Sequence, residues 1–150
     1  MQKSKRFEPI QEIVSSSAQE LSRTMGEAAK RVADLEQQFQ QLKTYRDEYV
    51  RTSTEARGSM DAVKLQNYRS FLERLGQAMR QHQTNLDTAR AEYERRRMQW
   101  SKKRVAAETL GRAIDRFRKQ EQQVAEQREQ REGDDAAMRI SLSRRETGGG

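Results

Sequence analysis

The sequence predicts an all-α fold, a long two-helix antiparallel coiled-coil hairpin with an overhanging C-terminal helix. Two stretches of heptad-spaced apolar residues predict the helices, and one short segment without that spacing predicts the turn between them. Only 33% of the 150 residues are hydrophobic, while 35% are charged. A compact core is not expected from so few apolar residues, whereas a hairpin needs them only along a narrow seam.

The second predicted helix carries the longer seam. Apolar or large residues recur along it in alternating steps of four and three: Leu65, Tyr68, Leu72, Leu75, Met79, His82, Leu86, Ala89, Tyr93, Trp100, Ala107, Leu110, Ile114 and Phe117. Only Arg96 and Lys103 interrupt the phase. Steps that average about 3.5 residues keep one stripe facing a partner helix, so this stretch is expected to form a coiled coil.

The first predicted helix provides the partner seam. Its heptad-spaced residues are Val14, Ala18, Leu21, Met25, Ala28, Val32, Leu35, Phe39, Leu42 and Tyr49. Pro9 is the only proline, and proline is favoured at the first position of a helix, where its missing amide would be unpaired anyway. The helix is therefore expected to begin at Pro9.

The expected boundaries follow from these patterns. Residues 1–8 are predicted to be a flexible basic lead, 9–132 the hairpin and 133–150 a flexible tail. The glycine and two aspartates at 133–135 are expected to stop helix two. Within the hairpin we expect helix one over about 9–52, a turn rich in serine and threonine over about 53–60, and helix two over about 61–131. Ser59 or Asp61 is the expected N-cap of helix two.

The two helices are predicted to be unequal in length. Pairing Tyr49 with Leu65 across the turn places Phe7 near Ala107, and beyond that point helix two has no expected internal partner. Its stripe nevertheless continues through Leu110, Ile114 and Phe117. An unpaired apolar stripe usually binds another protein; the alternative is a frayed helix end that exposes a few apolar side chains.

The composition points away from catalysis. There is one histidine, no cysteine, no glycine-rich phosphate loop and no recognisable acid–base pair, so we predict no enzyme activity, no cofactor, no metal and no small-molecule substrate. His82 is expected to be a neutral imidazole packed in the seam. No apolar run is long enough to span a membrane, which leads us to expect a cytosolic protein.

The net charge of +7 is unevenly distributed, since residues 61–107 hold 11 basic and 5 acidic residues. The densest cluster comprises residues 95–97 and 102–104 and surrounds Trp100. It suits a solvated coiled-coil face, a nucleic-acid patch or a contact with an acidic protein. Nucleic acid is disfavoured because the aromatic residues lie in the seam rather than on an exposed face.

Two short stripes near the turn share one spacing of four, three and four residues. They are Gln38, Leu42, Tyr45 and Tyr49 on helix one, and Phe71, Leu75, Ala78 and His82 on helix two. Half of these positions flank the seam, so the stripes widen it. The residues alone leave open whether they form a surface for a third body or only a wider core.

The chain resembles the flagellar type III export protein FliJ family. The resemblance is carried by QFQQLKTYRDEY at 38–49, NYRSFLERLGQAMRQHQTNLDTA at 67–89 and MQWSKKR at 98–104. It implies a non-enzymatic two-helix stalk similar to that of rotary ATPases, located at the cytoplasmic side of the inner membrane at the flagellar base. The implied partners are the hexameric export ATPase, the cytoplasmic domain of the export-gate membrane protein, and export chaperones.

The resemblance also assigns sites. All eight residues of the two stripes near the turn match the family's gate-binding surface, and the end that bears the chain termini is the end that enters the ATPase ring. We therefore expect ATPase-ring binding at Leu110, Ile114 and Phe117. There are two alternatives. One is the stalk of a virulence injectisome, and the other is a basic coiled coil that binds nucleic acid or an anionic membrane surface.

Overall fold

The structure is a computed structural model that describes residues 2–148, apart from the side chain of Arg57. Helix α1 spans Lys3–Glu55, a single 3-10 turn spans Arg57–Ser59, and helix α2 spans Ala62–Gly148. The two helices pack against each other, and the described residues contain no strand. The predicted all-α two-helix hairpin is confirmed.

The chain divides into two units. The turn unit is Ala18–Lys102 and contains the 3-10 turn, and the terminal unit is Met1–Ser17 with Lys103–Gly150. Each contains a segment of α1 packed on a segment of α2, and each is described separately below.

The buried apolar residues of the turn unit all lie on the predicted heptad seams. They are Ala28, Leu35, Tyr68, Leu75, Met79, Leu86 and Ala89. Leu35, Leu86 and Ala89 form one cluster against which Val32 packs. Heptad spacing therefore identified the buried face of both helices.

Two polar residues of the α2 seam reach across to α1. His82 stacks on Phe39, with 6.0 Å between ring centroids, and its Nε2 lies 2.8 Å from the carbonyl oxygen of Leu35, to which it donates. Arg96, one of the two residues that interrupt the seam, donates from Nη1 to the carbonyl oxygen of Thr24 at 2.9 Å and from Nε to Glu92 at 2.7 Å. Both polar side chains are thus satisfied within the seam.

The turn lies close to its predicted position. Of the two candidate caps, Asp61 fills the role, because its Oδ1 accepts from the backbone amide of Lys64 at 2.7 Å. Helix α1 extends to Glu55 and so includes the start of the predicted turn segment.

The structure corrects the predicted lead, because α1 begins at Lys3 and Pro9 lies inside it. Contacts with α2 hold this segment. The amide and hydroxyl of Ser4 donate to Glu121 at 3.1 and 2.6 Å, and Phe7 stacks on Phe117 with 5.6 Å between centroids. Tertiary packing therefore outweighs the helix-starting preference of proline. Met1 lies outside the described residues.

The predicted pairing of the helices is also wrong. Tyr49 stacks on Tyr68, with 5.5 Å between centroids, rather than facing Leu65. Phe7 faces Phe117 rather than Ala107. The heptad period is compatible with several alignments of the two helices. In the observed alignment α1 pairs with residues farther along α2 than predicted.

The overhang consequently begins later than predicted. Ile114, expected to lie on an unpaired stripe, is 1% exposed and is the most deeply buried large side chain of the described chain. Leu110 and Phe117 are half-buried. Phe117, three residues later on α2, packs on Phe7 from the segment that had been expected to be flexible.

Helix α2 continues through most of the predicted tail, to Gly148, and every residue from Gln122 to Gly148 is exposed. Gly133 is accommodated within the helix, where glycine costs only about 1 kcal/mol relative to alanine. No proline interrupts the segment. Gly149 and Gly150, the last residues of the predicted tail, lie outside the described residues.

Candidate partner-binding surfaces

Four aromatic rings of the turn unit form one cluster, which we call the aromatic cluster: Tyr45, Tyr49, Tyr68 and Phe71. Tyr49 is central, with its ring centroid 5.5 Å from that of Tyr68 and 4.4 Å from that of Phe71. Tyr45 is the outermost ring of the cluster. Its centroid lies 6.4 Å from that of Tyr49 and 6.1 Å from that of Phe71, which it meets edge-on. Such edge and offset pairs add stability and fix ring orientation.

Tyr45 is held in place yet open to solvent, with 52% of its surface exposed. The pair that it contacts, Tyr49 and Phe71, is half-buried, and Tyr68 is buried beneath. An aromatic ring that is oriented by its neighbours and still exposed loses little conformational freedom on binding, as is typical of an interface anchor.

The eight predicted gate-binding residues fall into three groups by exposure. Gln38, Tyr45 and Ala78 are exposed; Leu42, Tyr49, Phe71 and His82 are half-buried; Leu75 is buried at 8% exposure. Leu75 therefore belongs to the core, while other members of the set are open to solvent.

The three predicted ATPase-binding residues lie together in the terminal unit but face α1. Ile114 is enclosed, and Phe117 is covered by Phe7 on one side and by the ammonium of Lys3, 5.6 Å from the ring centroid. Leu110 is half-buried. Phe117 thus joins the two helices, and Leu110 and Phe117 each keep part of their surface exposed.

Ser4 and Phe7 belong to the terminal unit, and their contacts with Glu121 and Phe117 were not predicted from the sequence. A signal was present, because the heptad phase of α1, continued upstream from Val14, passes through Gln11, Phe7 and Ser4. Taking Pro9 as the helix start excluded them. The Ser4 hydroxyl and amide hydrogen bonds lower the pKa of the Glu121 carboxyl, with the hydroxyl contributing most.

Among the described residues, two ion pairs connect α1 with α2. Arg118 donates to Glu8 at 2.6 Å in the terminal unit, and this hydrogen bond raises the pKa of the guanidinium. Arg90 donates to Glu36 at 3.0 Å in the turn unit. Both pairs are substantially exposed, so each contributes little to stability.

A family model described as Flagellar FliJ protein matches residues 2–146. The chain belongs to the flagellar FliJ family. Comparison with curated proteins and with solved structures finds no match. The family match covers both helices and the turn of this FliJ family member.

FliJ membership carries an export-related stalk role in the flagellum. Within the described residues, no helix is long and apolar enough to cross a membrane. No cluster of three or more His, Cys, Asp or Glu side chains suited to a metal occurs in that part of the chain.

Proposed function

We propose that this FliJ protein is a non-enzymatic coupling stalk of the flagellar type III export apparatus. It links the hexameric export ATPase to the cytoplasmic domain of the export-gate membrane protein and also binds export chaperones. Its place would be the cytoplasmic side of the inner membrane at the flagellar base. The family match favours the flagellum over a virulence injectisome.

The observation that carries the proposal is the state of Tyr45. Its ring is 52% exposed, yet it is oriented by Tyr49 and Phe71, so it offers a pre-formed aromatic anchor. Gln38 and Ala78, also exposed, belong to the same set of gate-binding residues. We propose that these three residues contact the gate, while Leu42, Tyr49, Phe71, Leu75 and His82 hold them in position.

For the ATPase, we propose that the terminal unit is the part that enters the ring. Leu110, Ile114 and Phe117 support this contact indirectly, because they fasten α1 to α2 and so maintain the shape that the ring would receive. Any direct contact must use side chains on the outer surfaces of this unit.

The proposal is tested by capture of partners on the immobilised full chain. We expect the export ATPase and the gate's cytoplasmic domain to be retained at physiological salt, and ATPase activity to change when the chain is added. Tyr45→Ala should lose the gate domain and keep the ATPase. If neither protein is retained at any salt concentration, the coupling function is wrong.

A further inference from the structure

Both helices of the turn unit continue past the predicted gate-binding residues with the same spacing of seven. One series is Tyr45, Gln38 and Arg31 on α1, and the other is Phe71, Ala78 and Asn85 on α2. Seven residues are close to two helical turns, so each series stays on one side of its helix. The edge contact between Tyr45 and Phe71 brings these two sides together. Arg31 and Asn85 are therefore the next pair along the same face, ~21 Å from Tyr45.

A groove of about 390 Å³ opens between the helices at this pair, and both Arg31 and Asn85 line it. Its lining also includes Ala28 and Ala89, which are buried residues of the two seams. Alanine is the smallest side chain of either seam, so space remains beside these two residues that a leucine would fill. The groove therefore has an apolar part that can receive a side chain from another protein.

The two carboxylates that line the groove are already paired. They form ion pairs within their own helices, Glu27 with Arg23, and Glu92 with Arg95 and Arg96. The other arginine of the groove, Arg96, also donates to the carbonyl oxygen of Thr24 at 2.9 Å. These groups satisfy one another and leave little demand for a partner.

Arg31 is different, because its exposed guanidinium forms no ion pair or hydrogen bond with any described residue. Glu27, one turn away, is engaged by Arg23 instead. The groove thus presents one uncompensated positive charge beside its apolar part, and a partner that places a carboxylate there would form a charge-assisted hydrogen bond.

We propose that this groove binds an acidic helical segment of the export gate's cytoplasmic domain. A carboxylate of that segment pairs with Arg31, and an apolar side chain lies against Ala28 and Ala89. A helix of about 14 residues reaches from the groove to Tyr45 at ~1.5 Å per residue. The groove therefore extends the gate contact around Tyr45, and this assignment rests on the proposed function.

Position and charge both favour this occupant. The groove lies on the face that carries Tyr45, whereas the ATPase is assigned to the terminal unit. A single unpaired guanidinium contributes little to binding a phosphate backbone, since affinity for nucleic acid comes from many cations acting together. It is sufficient for one carboxylate, which a planar guanidinium can bind with two parallel hydrogen bonds.

Calorimetric titration of the gate's cytoplasmic domain into the full-length Arg31→Glu variant tests the charge. Gate affinity should fall about tenfold or more, because a carboxylate would then face a carboxylate. The matched control is Arg69→Glu, at an exposed position about 200° around α2 from Phe71 and so on another face. It has the same change in net charge and should bind the gate like the wild type.

Thr88→Phe tests the shape of the groove. Thr88 is an exposed residue of its lining, so a phenyl ring there should obstruct the groove and weaken gate binding without disturbing the seam. Thr84→Phe, an identical substitution one turn earlier at an exposed position outside the lining, should have no effect. Circular dichroism should show the same helix content for both variants.

Carbodiimide crosslinking identifies the partner group, since the reagent joins a lysine amine to a carboxylate that it touches. Arg31→Lys keeps the positive charge, and mass spectrometry should find its residue 31 joined to an aspartate or glutamate of the gate domain. Arg69→Lys should give no such crosslink at residue 69. Equal crosslinking at the two positions, or none at residue 31, would overturn the acidic contact.

The titrations also separate the groove from the gate contact as a whole. If Tyr45→Ala weakens gate binding while Arg31→Glu and Thr88→Phe bind like their controls, the groove inference is wrong and the contact around Tyr45 stands. If the wild type does not bind the gate domain, both are wrong. Loss of ATPase or chaperone binding in Arg31→Glu, with gate affinity unchanged, would assign the groove to that partner and overturn the inference.

Discussion

Phe7 stacks on Phe117 with 5.6 Å between their ring centroids and an interplanar angle of 21°. With the hydrogen bonds of Ser4 to Glu121, this contact joins the first turns of α1 to the part of α2 that was predicted to have no partner. It explains why α1 begins before Pro9 and why Ile114, one turn earlier on α2, is enclosed.

The first prediction concerns Phe7. Phe7→Ala should lower the free energy of unfolding by about 1–3 kcal/mol, less than for a fully buried phenylalanine because the ring is half-buried. Urea unfolding followed by circular dichroism measures the change. Ile13→Ala is the matched control, since Ile13 is a large apolar residue of the same helix that is 69% exposed. Equal effects of both substitutions would contradict the described packing.

The second prediction concerns Ile114. Ile114→Ala should destabilise the protein by about 2–5 kcal/mol, because the side chain is 1% exposed and its removal leaves a cavity. Val124→Ala, at a 57% exposed position of the same helix, should cost little. Thermal melts of the two variants provide the comparison.

The double variant Ile114→Asp with Phe117→Asp should have a lower helix content than the wild type, since a buried charge without a partner is strongly unfavourable. Loss of ATPase binding in that variant would therefore report a damaged terminal unit rather than a missing contact. Helix content equal to that of the wild type would show that Ile114 is not enclosed.

The third prediction concerns pH. Hydrogen bonds from Ser4 lower the pKa of Glu121 in the folded state, so the carboxylate form stabilises the fold. This contribution is present above the pKa of an unfolded glutamate, about 4.3, and is lost as pH falls through the lowered folded pKa. Unfolding free energies measured across the acidic range should show this loss in the wild type and a smaller one in Ser4→Ala. An identical pH profile for the two proteins would rule out the Ser4–Glu121 linkage.

The heptad pattern predicted the fold class and the buried face because spacing alone decides which residues of a helix point at its partner. Leu35, Tyr68, Leu86 and Ala89 all lie where the pattern placed them. The register was not predictable in the same way. Sliding one helix by whole heptads keeps every apolar residue in a seam, so specific contacts such as that between His82 and Leu35 must distinguish the registers.

The geometry of the aromatic cluster was predicted in part. Spacing placed Tyr45 and Phe71 beside the seam, and the structure brings their rings to 6.1 Å. It did not separate exposed members from buried ones: Leu75 shares the spacing of Ala78 but is enclosed. The predicted ATPase contacts depended on where α1 begins, and that boundary was decided by long-range contacts of Ser4 and Phe7.

The fourth prediction concerns the stability of the aromatic cluster. Phe71 lies 4.4 Å from Tyr49 and is half-buried, while Tyr45 is mostly outside, so Phe71→Ala should destabilise the fold more than Tyr45→Ala. Thermal unfolding of the two single variants measures this order. The reverse order would place Tyr45, rather than Phe71, in the structural part of the cluster.

The central claim is that the surface around Tyr45 binds the export gate, and calorimetric titration of the gate's cytoplasmic domain into wild-type and Tyr45→Ala protein tests it most directly. An aromatic anchor is often worth about 2 kcal/mol or more, so we predict that affinity falls about 30-fold or more. ATPase binding should be retained, and Lys43→Ala, at an exposed neighbouring position, should bind the gate like the wild type. Unchanged gate affinity in folded Tyr45→Ala protein would contradict the account.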